Sequence, residues 1–389
     1  MALTASPLPF LEDVHLDADG ISAWKLLLDA EKESLDTSRS VSLKYNNKLI
    51  GVRVLGFFLK DFWDHQNHHS FGIVPYKRLL CEIISCNCVD AVSPRARMDK
   101  VFKLGLFYRN HLMRVIRSNS GPLQTPSRRT SPPSWDQVRA DTIKDMTKAP
   151  ATKKGAKKQA LCRDGYRCMI SGFYDQQSFT DLTKEQRDEI SAQGNLNLIP
   201  TEVVYLFSEP AQDVNEHPEY AASAFTILKL FGIDQTKFMG GLVNDLSHVL
   251  TISVHLRQLF DNFTFWLESI PQQPNVYSAC FKDIDVYNSM GVLRPPKTVK
   301  FKIDPALVAE WNTNPPKDEQ GTIIPLPSLP DPNLIAIRAA CARVAHLSGA
   351  AEQAEQILED LEDTHVMAAD GTTASLLDSL LLRHCSAVS

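Results

Sequence analysis

Hydrophobic positions recur along this chain with more than one period, and the period predicts the element. From Tyr76 to Val89, and again from Met98 to Arg117, apolar residues return every three or four places, the spacing of amphipathic helices. A shorter helix is expected at Ala23–Ala30, inside an otherwise polar lead-in over residues 1–40. Ser42 to Val54 reads differently. Alternating residues there flank Asn46-Asn47, a pair that tolerates positive φ, so a β-hairpin is expected. Phe57 to Trp63 continues apolar into a turn holding His65, His68 and His69, three histidines close enough to hold a metal, although a solvated loop is the simpler reading.

Periodicity stops between Ser118 and Ser134, where Gly121, four prolines and five serines favour an exposed linker. Trp135–Thr147 is then a short helix with Ser134 as N-cap. Tyr220–Phe231 has helical spacing and closes at Gly232. Val249–Ser253 reads as a strand, followed by a helix whose apolar stripe is Leu256, Leu259 and Phe260. Phe263 to Leu267 continues as a buried strand. Past a Pro-rich connector, Pro315–Pro332, three helices are expected at Leu334–Leu347, Ala351–Leu361 and Thr373–Leu382. The fold class is therefore α+β. An N-terminal hairpin and helical region covers 1–117, a linker with a short helix 118–152, a central module 153–312, and the connector with C-terminal helices 313–389.

Composition changes this picture little. Hydrophobic residues make up 43% and charged residues 22% of 389, the balance of a soluble globular protein. Met1–Phe10 has neither the basic start nor the apolar run of a signal peptide, and runs such as Val52–Leu59 fall short of a membrane span. The expectation is an intracellular protein with no membrane partner. Eight scattered cysteines form no secreted disulfide framework. The cluster Cys81, Cys86 and Cys88 invites a metal reading, but no second Cys/His pair at ligand spacing follows it nearby, and buried thiols of an apolar helix are the simpler reading.

Charge distribution says more. A net charge of -5 argues against coating nucleic acid by overall charge, so any such binding needs a local patch. One exists: Arg95 to Arg167 is strongly basic, densest at Lys153, Lys154, Lys157 and Lys158 and running into Arg163 and Arg167. These six side chains are the candidate phosphate contacts, the alternative being a solvated linker face. The basic run is also compatible with nuclear residence. Val344 to Leu382 has no Lys or Arg but carries Glu352, Glu355, Glu359, Asp360, Glu362 and Asp363, which would suit a basic protein partner.

The string Cys162-Arg-Asp-Gly-Tyr-Arg-Cys168, with Ser171-Gly172 behind it, makes a resemblance specific. It resembles the opening of the fungal HNH nuclease-domain proteins. The similarity continues through Tyr205-Leu-Phe-Ser, Leu250–Ser253, Leu259–Asn262 with Phe265-Trp266, and Ala342–Gly349. What the resemblance implies is a ββα-metal module over 153–312: a histidine base on the first strand, an asparagine that orients it, and a helix histidine that holds a divalent cation, Mg or Mn, beside the scissile phosphate of DNA or RNA.

At the matching positions this chain has Tyr205, His248 and Arg257. A tyrosine with its ordinary pKa near 10 is a poor base at neutral pH, and a guanidinium has no lone pair to give a cation. His255 lies about 200° around a helix from Arg257. His248 is the candidate metal ligand of a rewired site, with His217 approaching from the connecting loop. Three readings follow: a nucleic-acid-binding relative that has lost catalysis, an active metal-dependent endonuclease built on such a rewired site, and a protein-interaction module. One cysteine at Cys168-x-x-Ser171 and no later pair argue against structural zinc.

Overall fold

The computed structural model describes residues 3–37, 46–67, 72–87, 94–117, 134–192, 194, 196–206, 228–229, 231–233, 244–318 and 320–363, without the side chains of 112–117 and 357–363. The expected linker over Ser118–Ser134, apart from Ser134, lies outside these residues, as do His68, His69, His217, Cys88, most of the Tyr220–Phe231 helix and Thr373–Leu382. The chain is α+β, with helices predominating over short strands. It divides into two compact units: Leu3–Trp63, Tyr76–Met113 and Arg343–Ser389 form one, and Asp64–Pro75 with Arg114–Ala342 make up most of the other.

The first unit is helical. Its first two helices are α1 (Ala18–Thr37) and α2 (Asn47–Asp64), and most of α3 (Val74–Ser85) and α4 (Pro94–Arg117) belongs to it. The hairpin expected across Asn46-Asn47 is corrected here. Asn46 is the cap of α2, its side-chain oxygen accepting from the Leu49 N–H at 3.0 Å while its amide donates to the Ser34 carbonyl at 3.0 Å. The misreading has a physical cause. Twelve of the eighteen residues of α2 are buried, so it has almost no polar face from which a 3.6-residue period could be read.

Helices α2 and α4 cross at Gly51 and Gly105. A Cβ on either glycine would stand 2.7 Å from the other's backbone. Trp24, Leu27, Leu49, Phe58 and Tyr76 fill the core. Arg53 binds Glu31 at 2.6 Å, and Arg343 clamps Asp61 at 2.6 and 2.9 Å. Of the cysteines expected to be buried, Cys86 is, whereas Cys81 is exposed.

The second unit holds α5 (Trp135–Asp145), α6 (Lys153–Arg163), β1 (Tyr174–Asp175), α7 (Gln176–Thr180), α8 (Lys184–Ala192), β2 (Leu198–Ile199) and β3 (Thr201–Tyr205). Then follow β4 (Val249–Ser253), α9 (Val254–Asp261), β5 (Phe265–Ser269), β6 (Val276–Phe281), α10 (Ile284–Ser289), β7 (Thr298–Lys300) and α11 (Pro305–Thr313). Ser134 caps α5, accepting from Gln137 N at 3.3 Å, and Thr152 caps α6, accepting from Gly155 N at 3.1 Å. The basic run Lys153–Lys158 is thus helix rather than flexible linker.

β1 and β2 pair in parallel, β3 and β4 antiparallel, and β5-β6-β7 form an antiparallel sheet. The unit boundary falls inside α12 (Pro332–Ser348), which closes at Gly349 (φ 85°) before α13 (Ala350–Asp363). No single helix among the described residues is long and apolar enough to cross a membrane.

Candidate functional site

Five residue pairs join β3 to β4, from Thr201↔Ser253 to Tyr205↔Val249, and β4 runs directly into α9. Two side chains set this geometry. Ser253 caps α9 by accepting from Leu256 N at 3.3 Å. Asp175, buried at the end of β1, accepts from the backbone and hydroxyl of Ser178 (2.8 and 2.7 Å) and from those of Thr201 (3.1 and 2.7 Å). It therefore starts α7 and pins the first residue of β3 together. Sequence reading missed Asp175, although aspartate is among the residues favoured at a helix N-cap.

Strand alternation then distributes the candidates. Thr201, Val203 and Tyr205 face one side of β3, Glu202 and Val204 the other. Val203 and Tyr205 pack against a core of Met146, Ala160, Leu246, Val249, Leu307 and Trp311, and the Tyr205 hydroxyl donates to Asn244 Oδ1 at 2.6 Å. Arg257, on α9, is ion-paired with Glu202 on the opposite face and with Asp261 at 3.3 Å. Tyr205 and Arg257 consequently do not share a face.

His248 sits in the 3-10 turn before β4. Its carbonyl accepts from Leu206 N at 2.8 Å, and the residue is only 4% exposed, which keeps solvent from the imidazole. His255 is exposed on α9. The structure thus brings His248 to the end of the strand pair beside Leu206, while strand alternation sets Tyr205 and the Glu202–Arg257 pair on opposite faces of β3.

Carboxylates and guanidinium groups alternate along α9: Glu202, Arg257, Asp261, Arg338. Arg338 is buried on α12, donates to the Phe260 carbonyl at 2.7 Å, lies 4.0 Å from the Phe260 ring centroid and is 3.7 Å from Asp261. Burial lowers its pKa to about 10 against the opposing pull of Asp261, and burial raises that of Asp261 against Arg338 and Arg257. A divalent cation does not fit this donor set, because the carboxylates that would hold it already carry guanidinium partners and Arg257 contributes only positive charge. Among the described residues, no group of three or more His, Cys, Asp and Glu is placed to hold a metal ion. Burial pushes the Cys162 thiol up to about 11, away from the reactive thiolate.

The basic candidates separate by burial. Lys153, Lys154 and Lys158 are exposed on α6, and Lys157 is half-buried, its ammonium donating to the Thr201 carbonyl at 3.0 Å. Arg167 is half-buried, donates to the Gly172 carbonyl at 3.1 Å and stacks 5.1 Å from the Tyr174 ring centroid. Arg163 is corrected: it is fully buried and cannot meet a phosphate. Its guanidinium grips Asp164 at 2.7 and 3.0 Å and donates to the carbonyls of Leu246 (2.7 Å), Ser328 (3.1 Å) and Val249 (3.3 Å). The residue ties the end of α6 to the start of β4.

Comparison with protein-family models, with curated proteins and with solved structures finds no match for this chain. The class defined by the fold is an α+β protein in which an antiparallel strand pair leads into a helix lined by alternating charges.

Proposed function

We propose that the second unit is a nucleic-acid-associated relative of the ββα-metal nucleases that binds without cutting. The observation that carries this reading is Arg257, engaged by Glu202 and Asp261 on the helix that follows β3 and β4. Strand, strand and helix in that order support kinship with the ββα arrangement. The guanidinium at the position where the resemblance expects a cation ligand supports lost catalysis. Lys153, Lys154 and Lys158 lie on one side of α6, at positions i, i+1 and i+5, and supply an exposed basic stripe suited to phosphates.

The test is incubation of the purified chain with supercoiled plasmid and Mg²⁺ or Mn²⁺. The expected result is retarded but un-nicked plasmid. Because Tyr205 and Arg257 face apart, the combined variant Tyr205→His, His248→Asn, Arg257→His is expected to remain inactive. Metal-dependent nicking by the parent, abolished by chelator and by His248→Ala, would establish a working endonuclease instead. Absence of retardation would remove nucleic acid from the account.

A further inference from the structure

Among the described residues the sheet β5-β6-β7 ends at β7, and no strand pairs with the outer side of β7. Ala279 N donates to the Lys297 carbonyl and Phe301 N to the Asn275 carbonyl, both at 2.8 Å. These bonds set the parity of the ladder: backbone groups of residues 297, 299 and 301 face β6, while those of Thr298, Lys300 and Lys302 face outward. The next residue of outward parity, Asp304, donates to the Arg163 carbonyl at the end of α6 at 2.7 Å. The chain leaving α6 therefore begins to close the edge and then leads away from it. Between them lies a cleft of about 330 Å³, walled by residues of Asp164–Gly172 on one side and by Thr298–Lys302 on the other.

The chemistry of the cleft selects an occupant. Thr298, Lys300 and Lys302 are exposed and share one face of the strand, whereas Val299 and Phe301 turn into the core. Arg167 adds positive charge from the opposite wall. The two lining carboxylates are already engaged, Asp164 by Arg163 and Asp304 by the Leu307 N–H at 3.2 Å.

We propose that this cleft receives an extended, acidic peptide segment of a partner protein, which adds to β7 as a fourth strand with carboxylates at alternate positions. Lysines on an edge deter pairing with a second copy of the same edge, because like charges would face each other. They favour a strand of opposite charge. A phosphodiester backbone satisfies the site less well: its oxygens only accept, and the outward carbonyls of Thr298, Lys300 and Lys302 require donors, which a peptide strand supplies. This inference does not rest on the nucleic-acid reading above.

The test uses the full chain and a fluorescent peptide with glutamate at alternate positions, alongside the same peptide N-methylated on alternate amides. Binding of the first is expected, with N-methylation weakening it about tenfold, the loss of one or two hydrogen bonds. Lys300→Pro removes an outward N–H without touching the β6–β7 ladder and is expected to weaken binding comparably. Lys300→Glu with Lys302→Glu is expected to reverse preference toward a lysine-bearing peptide, so the test survives if the proline variant misfolds. The combined variant Lys153→Ala, Lys154→Ala, Lys158→Ala is expected to bind the peptide like the parent, which separates this site from the α6 stripe. No peptide binding, or binding indifferent to N-methylation, would overturn the proposal. So would a single-stranded oligonucleotide held through Lys300 and Lys302 in the peptide's place.

Discussion

Arg163 and Lys158 lie five residues apart on the same basic helix and do opposite things. Lys158 is exposed, so Lys158→Ala is expected to change stability by no more than about 0.5 kcal/mol. Arg163→Ala would leave Asp164 buried without its partner and strip donors from three carbonyls, a loss of about 3–5 kcal/mol. Urea midpoints of the two variants check the contrast; equal midpoints would mean that Arg163 does not hold α6 to β4. Such a difference is illegible in sequence, where both residues belong to one run of positive charge. Burial is a property of what packs around a residue, and what packs on Arg163 comes from residues 246–249 and 328, far along the chain.

Glu82 makes a second prediction at this scale. Burial raises its pKa above the ordinary 4.5, opposed by the hydrogen bond from the Tyr108 hydroxyl at 2.8 Å. A carboxyl with a raised folded pKa contributes most when protonated, so its contribution is present below the ordinary value and is lost as pH rises through the folded one. Glu82→Gln, which stays neutral while still accepting from Tyr108, is expected to melt above the parent at pH 7. The gap should narrow as pH falls toward 4. A gap that is constant or that widens in acid would show that Glu82 is not strained by burial.

At the scale of elements, legibility followed the presence of a polar face or a cap. The strand at Val249–Ser253 and the helix after it were readable, because Ser253 is a capping residue and Leu256 and Phe260 repeat at helical spacing. Helix α5 was readable from Ser134 for the same reason. Helix α2 was not, since it is apolar around most of its circumference and its Ile50, Val52 and Val54 imitate a period of two. The candidate site divided likewise: β4 and the helix after it were legible, but β3 carries no strand pattern of its own, and the face on which Tyr205 lies depends on pairing register, which no local pattern specifies.

The crossing of α2 and α4 gives the prediction that belongs here. Gly51 and Gly105 each have the other's backbone where a Cβ would sit, 2.7 Å away. Gly51→Ala would ordinarily favour a helix by up to about 1 kcal/mol. The two backbones must instead move apart, and overpacking of this kind costs about 1–3 kcal/mol. Both Gly51→Ala and Gly105→Ala are therefore expected to lower the unfolding midpoint despite better helix propensity. Since the two sites share one contact, the double variant should cost less than the sum of the singles. Additive losses would mean that each glycine is needed for a separate reason.

Across the whole molecule, charge is segregated along the chain, with basic residues on α6 and acidic ones along α13, within a net of -5. A polyanion therefore meets net repulsion at long range and attraction only near the lysines. Attraction of that kind works through release of condensed counterions, so its strength depends on salt more than on sequence. For duplex DNA, each neutralised phosphate contributes about 0.9 to the slope of log affinity against log salt. Replacing Lys153, Lys154 and Lys158 by alanine is expected to flatten that slope by about 2–3. Arg163, being buried, contributes nothing to it. Titration of a labelled duplex at several salt concentrations measures the slope directly. If the triple variant retains the parent's slope, phosphate contact lies elsewhere on the molecule and the stripe on α6 is only a solvated helix face.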